Sequence, residues 1–398
     1  MSLPNEPRRR RADDPEWDAR LRRVAVKVLR LCDREHPADA VLRGVLAEER
    51  GLSRSEGGEV AQMVFNFHRW RGWLGDDQAT ADLDSGVREA NRLEARHSRS
   101  PSSFTDEELI QRSVPPWVVS EVEVTPSWAR SLQSPPRLWL RARHGKRDAL
   151  ARTLYDVVPG ATQLCPDALE YQGQTDLHRT PEFQSGEFEI QDLSSQAVGH
   201  LCAPAPGESW WDACAGEGGK TLHLSDLMGN KGMLWASDRA SWRLKKLKQR
   251  AARARVFNYR AAPWEGGVRL PTKTLFHGVL VDAPCSGIGT WQRNPHARWS
   301  TLPADVQELA AIQLQLLCNA AAALRPGGRL VYSVCTLARA ETTGVASAFE
   351  ARMPGMRPSN LPVTLDLAAA SPAPHQLWLR PGDFPGNGMF VSAWVKAS

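Results

Sequence analysis

The sequence predicts an α/β protein in which a helical region and a small α+β module precede an open, mainly parallel sheet. Three observations lead to this prediction. Residues 1–125 contain several segments with helical periodicity, residues 126–187 form short segments punctuated by Pro and Gly, and residues 188–398 alternate strand and helix patterns. A chain of 398 residues has room for two or three domains. We therefore predict three domains with these boundaries.

Composition excludes several protein classes. Hydrophobic residues make up 42% and charged residues 24%, and no run approaches the about 18 apolar residues that a membrane span needs. The first 18 residues are polar and lack the apolar segment of a secretory signal. The seven cysteines are odd in number and form no C-x-x-C pair, which argues against a disulfide scaffold and a zinc site. We expect reduced thiols, no metal, no membrane contact and a cytoplasmic location.

The charge is unevenly distributed. The net charge is only +5, yet nine cations and no acid lie between Arg239 and Arg260. Such a run is either a solvated helix face or a surface that contacts phosphates, and the sequence leaves both open. The run from Arg8 to Arg11 is either a tail with nonspecific RNA affinity or a flexible arm without a role.

Helices are expected in the first region. Apolar residues recur at helical spacing in residues 17–32, 41–46 and 60–73. Ser53 and Glu56 have the spacing of a capping box, which predicts that the third helix begins there. The second region predicts a strand at residues 138–141 and a helix at residues 146–155.

The third region is predicted to contain βαβ units, because helical patterns separate its earlier strands. The candidate strands are residues 209–213, 233–237, 255–258, 278–282, 329–334 and 389–396.

A glycine-rich loop at residues 212–221 follows the first of these strands and leads into a helix. Glycines allow a tight turn and close approach of a ligand to the backbone. A phosphate-binding P-loop is excluded because Cys214 stands where its first Gly is required, and Thr221 breaks a G-x-G-x-x-G dinucleotide frame. Asp238 ends the second strand, where an acid can bind both ribose hydroxyls of an adenosine ligand.

Two cysteines follow neighbouring strand ends. Cys285 comes after the fourth strand in Val281-Asp282-Ala283-Pro284-Cys285-Ser286-Gly287, and Cys335 directly follows the fifth. Ligands of such sheets bind at the carboxyl ends of the strands, so both thiols are expected at one crevice. The remaining cysteines outside the glycine-rich loop are expected to be structural; they are Cys32, Cys165, Cys202 and Cys318.

Three motifs in this order resemble the Sun/Nop family of RNA cytosine-5 methyltransferases: Asp-x-Cys-Ala-x-x-Gly-Gly-Lys-Thr from Asp212, Asp-Ala-Pro-Cys-Ser-Gly from Asp282, and Tyr-Ser-x-Cys-Thr from Tyr332. Residues 190–196 and 388–391 also resemble family segments, and the resemblance covers roughly residues 188–398. It implies a Rossmann-like class I methyltransferase sheet. The first region weakly resembles the NusB-like RNA-binding domain attached to bacterial rRNA enzymes.

The resemblance implies a mechanism with two cysteines. Cys335 would add to carbon 6 of a cytosine, so that carbon 5 accepts the methyl group of S-adenosylmethionine. Asp282 would bond the base edge, and Cys285 would help to resolve the covalent adduct. The target base must leave any stack to reach the thiol. The cofactor-binding residues implied are Cys214, Ala215, Gly216, Glu217, Gly218, Gly219, Lys220, Asp238, Asn258 and Asp282.

The sequence departs from the family pattern at three places. Glu217 replaces a Pro, residues 256–260 lack the usual acid so that only Asn258 is left to bond the adenine, and the Glu-Glu-Asn after Cys335 is reduced to Glu341. These changes bear on cofactor affinity more than on chemistry. The expected partner is RNA, with rRNA as the first choice and tRNA as the second. No obligate protein partner is expected. The alternative is a catalytically weak RNA-binding or ribosome-assembly protein that retains the fold.

Two tryptophans follow Cys285. Trp291 and Trp299 flank Arg293, and they can either stack on RNA or pack locally, with packing the more common use of such residues.

Overall fold

The computed structural model describes residues 15–160, 162–363 and 373–397. The chain divides into two compact units. One takes residues up to Val119, Val124–Pro135 and Trp291–Thr301, and the other takes Ser120–Glu123, Pro136–Thr290 and the residues from Leu302 onward. The arginines at positions 8–11 lie outside the described residues. The predicted boundaries after residues 125 and 187 stay predictions.

The helices of the described residues are α1 (Pro15–Leu31), α2 (Ala38–Glu48), α3 (Arg54–Trp70), α4 (Asp76–Thr80), α5 (Leu83–Arg99), α6 (Asp106–Arg112), α7 (Val118–Glu121), α8 (Pro126–Ser131), α9 (Arg147–Thr153), α10 (Pro181–Gln184), α11 (Leu193–Cys202), α12 (Gly219–Leu227), α13 (Ser241–Arg253), α14 (Pro295–Ser300), α15 (Pro303–Ala321) and α16 (Thr343–Arg352). The strands are β1 (Leu138–Ala142), β2 (Val157–Pro159), β3 (Ala168–Tyr171), β4 (Phe188–Ile190), β5 (Ser209–Asp212), β6 (Met233–Ala236), β7 (Tyr259–Ala261), β8 (Phe276–Asp282), β9 (Leu324–Val334), β10 (Met356–Pro358), β11 (Gln376–Leu379) and β12 (Met389–Lys396).

The first unit is helical, as predicted. Its core lies between α1, α3 and α5, where Val28, Val60 and Val87 are fully buried. The predicted capping box is present: the Glu56 backbone N–H donates to Ser53 Oγ at 3.3 Å, and the Glu56 carboxylate accepts from the Ser53 N–H. The likeness to NusB stays a prediction.

A distant segment completes this unit. The buried Arg298 guanidinium donates to the carbonyls of Arg69, Ser113 and Leu132, at 3.3, 2.9 and 3.0 Å. Trp291 is fully buried and stacks on Trp128. Local packing, rather than RNA stacking, is therefore the use of Trp291.

The second unit contains two sheets. The smaller one is antiparallel, with strand order β2-β3-β1-β4, and its strand β4 lies beyond residue 187, where the predicted α+β module ends. The larger one has eight strands in the order β10-β12-β9-β8-β5-β6-β7, with β11 beside β12. Its strands β5 to β9 pair in parallel, whereas β12 runs antiparallel to β9. This confirms the predicted Rossmann-like sheet.

One predicted strand is wrong in position. The prediction placed a strand at residues 255–258, but β7 is Tyr259–Ala261. The reason is that α13 continues to Arg253 and Arg255 adopts a left-handed conformation (φ 54°), so residues 254–258 connect helix to strand. Asn258 consequently precedes the strand instead of belonging to it.

None of the described helices is long and apolar enough to cross a bilayer.

Candidate active site

A cavity of about 380 Å³ lies where β5, β6, β8 and β9 end. The strands are parallel, so their carboxyl ends share one edge of the sheet, where such folds bind ligands. The lining residues include Cys214, Gly216, Asp238, Asp282, Cys285 and Cys335. Residues from three separate sequence motifs therefore meet at one site.

The two strand-end cysteines lie together. Cys285 Sγ and Cys335 Sγ are 3.3 Å apart, because Asp282 pairs with Ser333 in the β8–β9 ladder and each cysteine follows shortly after. The hydrogen bond to Cys335 and burial hold the pKa of Cys285 well above its ordinary value. Cys285 is therefore kept as a neutral thiol that can donate to its neighbour.

Asp282 lies at the end of β8 and is held by two donors. Lys220 Nζ donates to its Oδ2 and Ser333 Oγ donates to its Oδ1, both at 2.7 Å. Burial alone would lower the pKa of Lys220, but the attraction of Asp282, and to a lesser extent of Cys335, raises it. The lysine thus stays charged beside Asp282 and close to Cys335.

Glu341 joins the two cysteine loops. The sequence alone indicated no such role, because Glu341 was noted only as what remains of the Glu-Glu-Asn motif. Its carboxylate accepts from Ser286 N–H at 2.9 Å, Gln313 Nε2 at 2.9 Å and Thr336 Oγ1 at 3.0 Å, and also from Ser286 Oγ. Burial raises the pKa of Glu341, although these bonds lower it in part. Because Ser286 follows Cys285 and Thr336 follows Cys335, one buried carboxylate positions both thiols.

We expect Glu341→Gln to lower the free energy of unfolding by about 1–3 kcal/mol, because the amide NH₂ then faces donors that lose their acceptor. Thermal and urea unfolding measure this loss. Glu308→Gln, an exposed change on α15, is the matched control. An equal stability of the Glu341 and Glu308 variants would contradict the conclusion that the Glu341 carboxylate holds the two cysteine loops together.

The glycine-rich loop closes one side of the cavity. Gly216 N–H donates to Asp238 Oδ2 at 3.0 Å, and Ala240 N–H donates to Oδ1 at 2.8 Å. Gly216 has φ +54°, and a Cβ placed on it would meet no atom within 4 Å, so this backbone faces open space. Cys214, Ala215 and Gly216 line the cavity together with Asp238.

The second half of the loop faces elsewhere. Glu217, Gly218 and Gly219 are not among the described residues that line the cavity. The Glu217 carboxylate accepts from Lys246 Nζ on α13 at 2.8 Å. A Cβ on Gly218 would lie 2.6 Å from the Leu247 side chain, so this glycine permits packing of the loop on α13. The unusual acid therefore points to a helix surface and not into the cavity.

Asn258 does not reach the cavity. It precedes β7, whereas the cavity lies beyond the other end of that strand. Ser225 Oγ donates to Asn258 Oδ1 at 2.6 Å, and Asn258 Nδ2 donates to the Lys231 carbonyl at 3.2 Å. The expectation that Asn258 bonds an adenine is therefore not met by its position. Trp264 and Glu265, which follow β7, line the cavity instead. A prediction that placed the end of β7 at Ala261 would have indicated these two residues, because ligands bind beyond the carboxyl ends of such strands.

Asp212 is the buried acid behind the loop. Its Oδ2 accepts from Thr221 Oγ1 at 2.6 Å, while Oδ1 is buried without a hydrogen-bond partner among the described residues. Burial raises the pKa of Asp212 to about 7, an effect that the Thr221 bond only partly offsets. The acid changes charge near neutral pH.

This shift predicts a pH dependence of stability. Between pH of about 4 and about 7 the unfolded chain has released the Asp212 proton but the folded chain keeps it, so rising pH favours unfolding. We expect Asp212→Asn to remove this decrease in the free energy of unfolding. The decrease is on the order of a few kcal/mol, because each pKa unit corresponds to about 1.4 kcal/mol. Urea midpoints of both proteins at pH 5 and 8 measure it. An identical pH response in the two proteins would contradict the assignment.

The cavity suits a small-molecule ligand. Its volume falls in the range of small-molecule sites, and the backbone at Gly216 is open to a ligand. Burial raises the pKa of the cavity-lining Cys214, and nearby acids raise it further, whereas Arg239 lowers it. Asp238 and Asp282 line the cavity together with the cations Arg239 and Arg243.

Comparisons with known proteins identify relatives of this chain. Residues 200–395 match the family described as 16S rRNA methyltransferase RsmB/F. A probable ribosomal RNA small subunit methyltransferase B of Synechocystis sp. is 34% identical over 69% of this chain and 66% of its own length. A protein of that description in Bacillus subtilis is 34% identical over 62% of this chain and 58% of its own length.

Solved structures share the fold. The crystal structure of NSun6 from Pyrococcus horikoshii with SFG covers 68% of this chain and 94% of its own, at a TM-score of 0.61 and 20% identity. The alignments with the curated relatives cover less than two thirds of the length of those proteins. Residues 200–395 are thus similar to the RsmB/F methyltransferase family.

Proposed function

We propose that the protein transfers a methyl group from S-adenosylmethionine to carbon 5 of a cytosine in RNA, with small-subunit rRNA as the substrate. The observation that carries the proposal is the pair of thiols 3.3 Å apart beside Asp282 in a cavity of ligand size. Curated relatives named ribosomal RNA small subunit methyltransferase B support the choice of RNA. The methylation assay described below also includes tRNA as a substrate.

The residues that would hold the cofactor lie along the first half of the glycine-rich loop and at the end of β6. Backbone from Cys214 to Gly216 would face it, and the Asp238 carboxylate would bind its ribose. Trp264 and Glu265 would lie near its adenine, the part expected beyond β7. When bound, the cofactor supplies an electrophilic methyl group on a positively charged sulfur.

The residues of the chain would divide the chemistry between them. The electron pair of the Cys335 thiolate forms a bond to carbon 6 of the flipped cytosine, and the π electrons of the broken C5=C6 double bond shift to carbon 5 and ring nitrogen 3. Asp282 with Lys220 stabilises the ring edge that gains charge. After carbon 5 takes the methyl group, its proton passes to solvent water, the electrons of the C5–H bond re-form the C5=C6 double bond, and the Cys335 sulfur leaves with the electron pair of the C–S bond. The neutral Cys285 thiol would assist this release by donating to the departing Cys335 thiolate.

The test combines the protein with radiolabelled S-adenosylmethionine and unmodified small-subunit rRNA, assembled small subunits, or tRNA. Digestion to nucleosides should show label in 5-methylcytidine from an rRNA arm. Label in no RNA would overturn the proposal. Calorimetry separates the alternative of a catalytically inactive RNA-binding or assembly protein, since that protein would not bind S-adenosylmethionine. The cytoplasmic location and the absence of an obligate protein partner stay predictions.

A further inference from the structure

Helix α13 places a tryptophan in solvent. Its buried residues are Leu244, Leu247 and Ala251, and Trp242 lies on the opposite face with 52% of its surface exposed. Among the large apolar side chains that are mainly exposed in the described residues, it is the sole tryptophan. Exposing an indole ring to water is unfavourable, and packing within the unit does not explain its place here.

The cations on helix α13 and next to its start fall into two groups. Arg243 pairs with Asp238 at 3.8 Å, Lys246 pairs with Glu217, and Arg250 and Arg253 pair with Glu189. Arg239, Lys245 and Lys248 are exposed, and none of the ion pairs found in the described parts of the chain includes them. The paired group stabilises the unit, whereas the second group leaves positive charge available to a partner.

This charge surrounds Trp242. The Arg243 guanidinium and Lys246 Nζ lie 5.4 and 5.1 Å from the centre of its ring. Arg239 and Arg243 also line the cavity that holds the two thiols. The face formed by Arg239, Trp242, Arg243, Lys245 and Lys248, here called the α13 face, is thus continuous with the candidate active site.

We propose that the α13 face binds the single-stranded RNA that flanks the target cytosine, with Trp242 stacking on a base and the unpaired cations contacting phosphates. The inference rests on the proposed function, because that function brings RNA to the adjoining cavity. Aromatic rings interleaved with cations suit unpaired nucleotides, whose bases and phosphates alternate at similar spacing. An acidic protein would use the charge but gain little from one isolated ring, so RNA is favoured.

The binding test measures fluorescence anisotropy of a fluorescein-labelled, cytosine-containing single-stranded RNA against the full chain. We expect Trp242→Ala to raise the Kd about 5- to 100-fold, the loss of one base–aromatic stack, and Trp242→Phe to retain most of the affinity. Lys245→Glu with Lys248→Glu should weaken binding and reduce its dependence on salt. Tyr155→Ala removes a more exposed ring from another part of the chain, and Lys273→Glu makes one such charge reversal elsewhere, half the charge change of the double variant.

The outcomes separate this inference from the proposed function. In methylation assays Trp242→Ala should raise KM for RNA while S-adenosylmethionine binding stays at the wild-type value. Wild-type affinity of Trp242→Ala for RNA, or failure of the wild type to bind RNA, would overturn the inference. Tighter binding of poly-glutamate than of RNA would also overturn it. RNA binding that depends on Trp242 without any methylation would support the surface and refute the proposed activity.

Discussion

Replacing Cys335 by Ala should reduce methyl transfer to RNA by on the order of 10³-fold or more, because the variant lacks the proposed nucleophile for carbon 6. The thiol lies at the cavity beside Cys285, and it interacts electrostatically with the charged Lys220. Incorporation of labelled methyl groups into rRNA under single-turnover conditions measures the effect.

The matched control is Cys318→Ala on α15, a partly buried cysteine that is not among the described residues lining the cavity. It should keep wild-type activity. Calorimetry should show that Cys335→Ala still binds S-adenosylmethionine, which separates lost chemistry from a lost cofactor. A Cys335 variant that still turns over at a tenth of the wild-type rate would refute its role as the nucleophile.

Replacing Cys285 by Ala should increase the amount of covalent protein–RNA adduct, whereas replacing Cys335 should abolish the adduct. Without the thiol 3.3 Å from Cys335, the bond between protein and RNA forms but resolves slowly, so a covalent adduct accumulates. A denaturing gel with labelled rRNA should show a band that migrates more slowly than the free RNA and disappears on protease treatment. Methylated RNA released from the protein should fall in parallel.

The double variant with Ala at both positions isolates the cause. It should form no adduct, since the adduct of the single variant requires Cys335. An adduct that persists in the double variant would place the covalent bond on another residue. Free turnover of Cys285→Ala, with no accumulated adduct, would show that Cys285 has no part in release.

Much of the active site could be predicted from the sequence because topology rules connect strand ends to one another. Cys285 and Cys335 follow consecutive β8 and β9, which pair in parallel, and their loops meet as expected. The loop at Gly216 and the acid Asp238 follow β5 and β6 and line the same cavity. These positions depend on strand order and chain direction, which hydrophobic periodicity reveals.

Other parts depended on side-chain packing that no periodicity shows. Asn258 was expected near the adenine, but the left-handed Arg255 shifts β7 along the chain and leaves Asn258 bonded to Ser225. Glu217 was expected to bring an acid to the cofactor loop, yet it pairs with Lys246 on α13.

The sequence by itself determined the parallel sheet and the cysteine pair, because strand alternation and strand-end motifs are local signals. Only the tertiary structure decided that Glu341 joins both cysteine loops, which of the cations near Trp242 are paired, and that Trp291 is core. Each of these rests on contacts between residues far apart in the chain. Burial and hydrogen bonding then select one partner among many that the sequence allows.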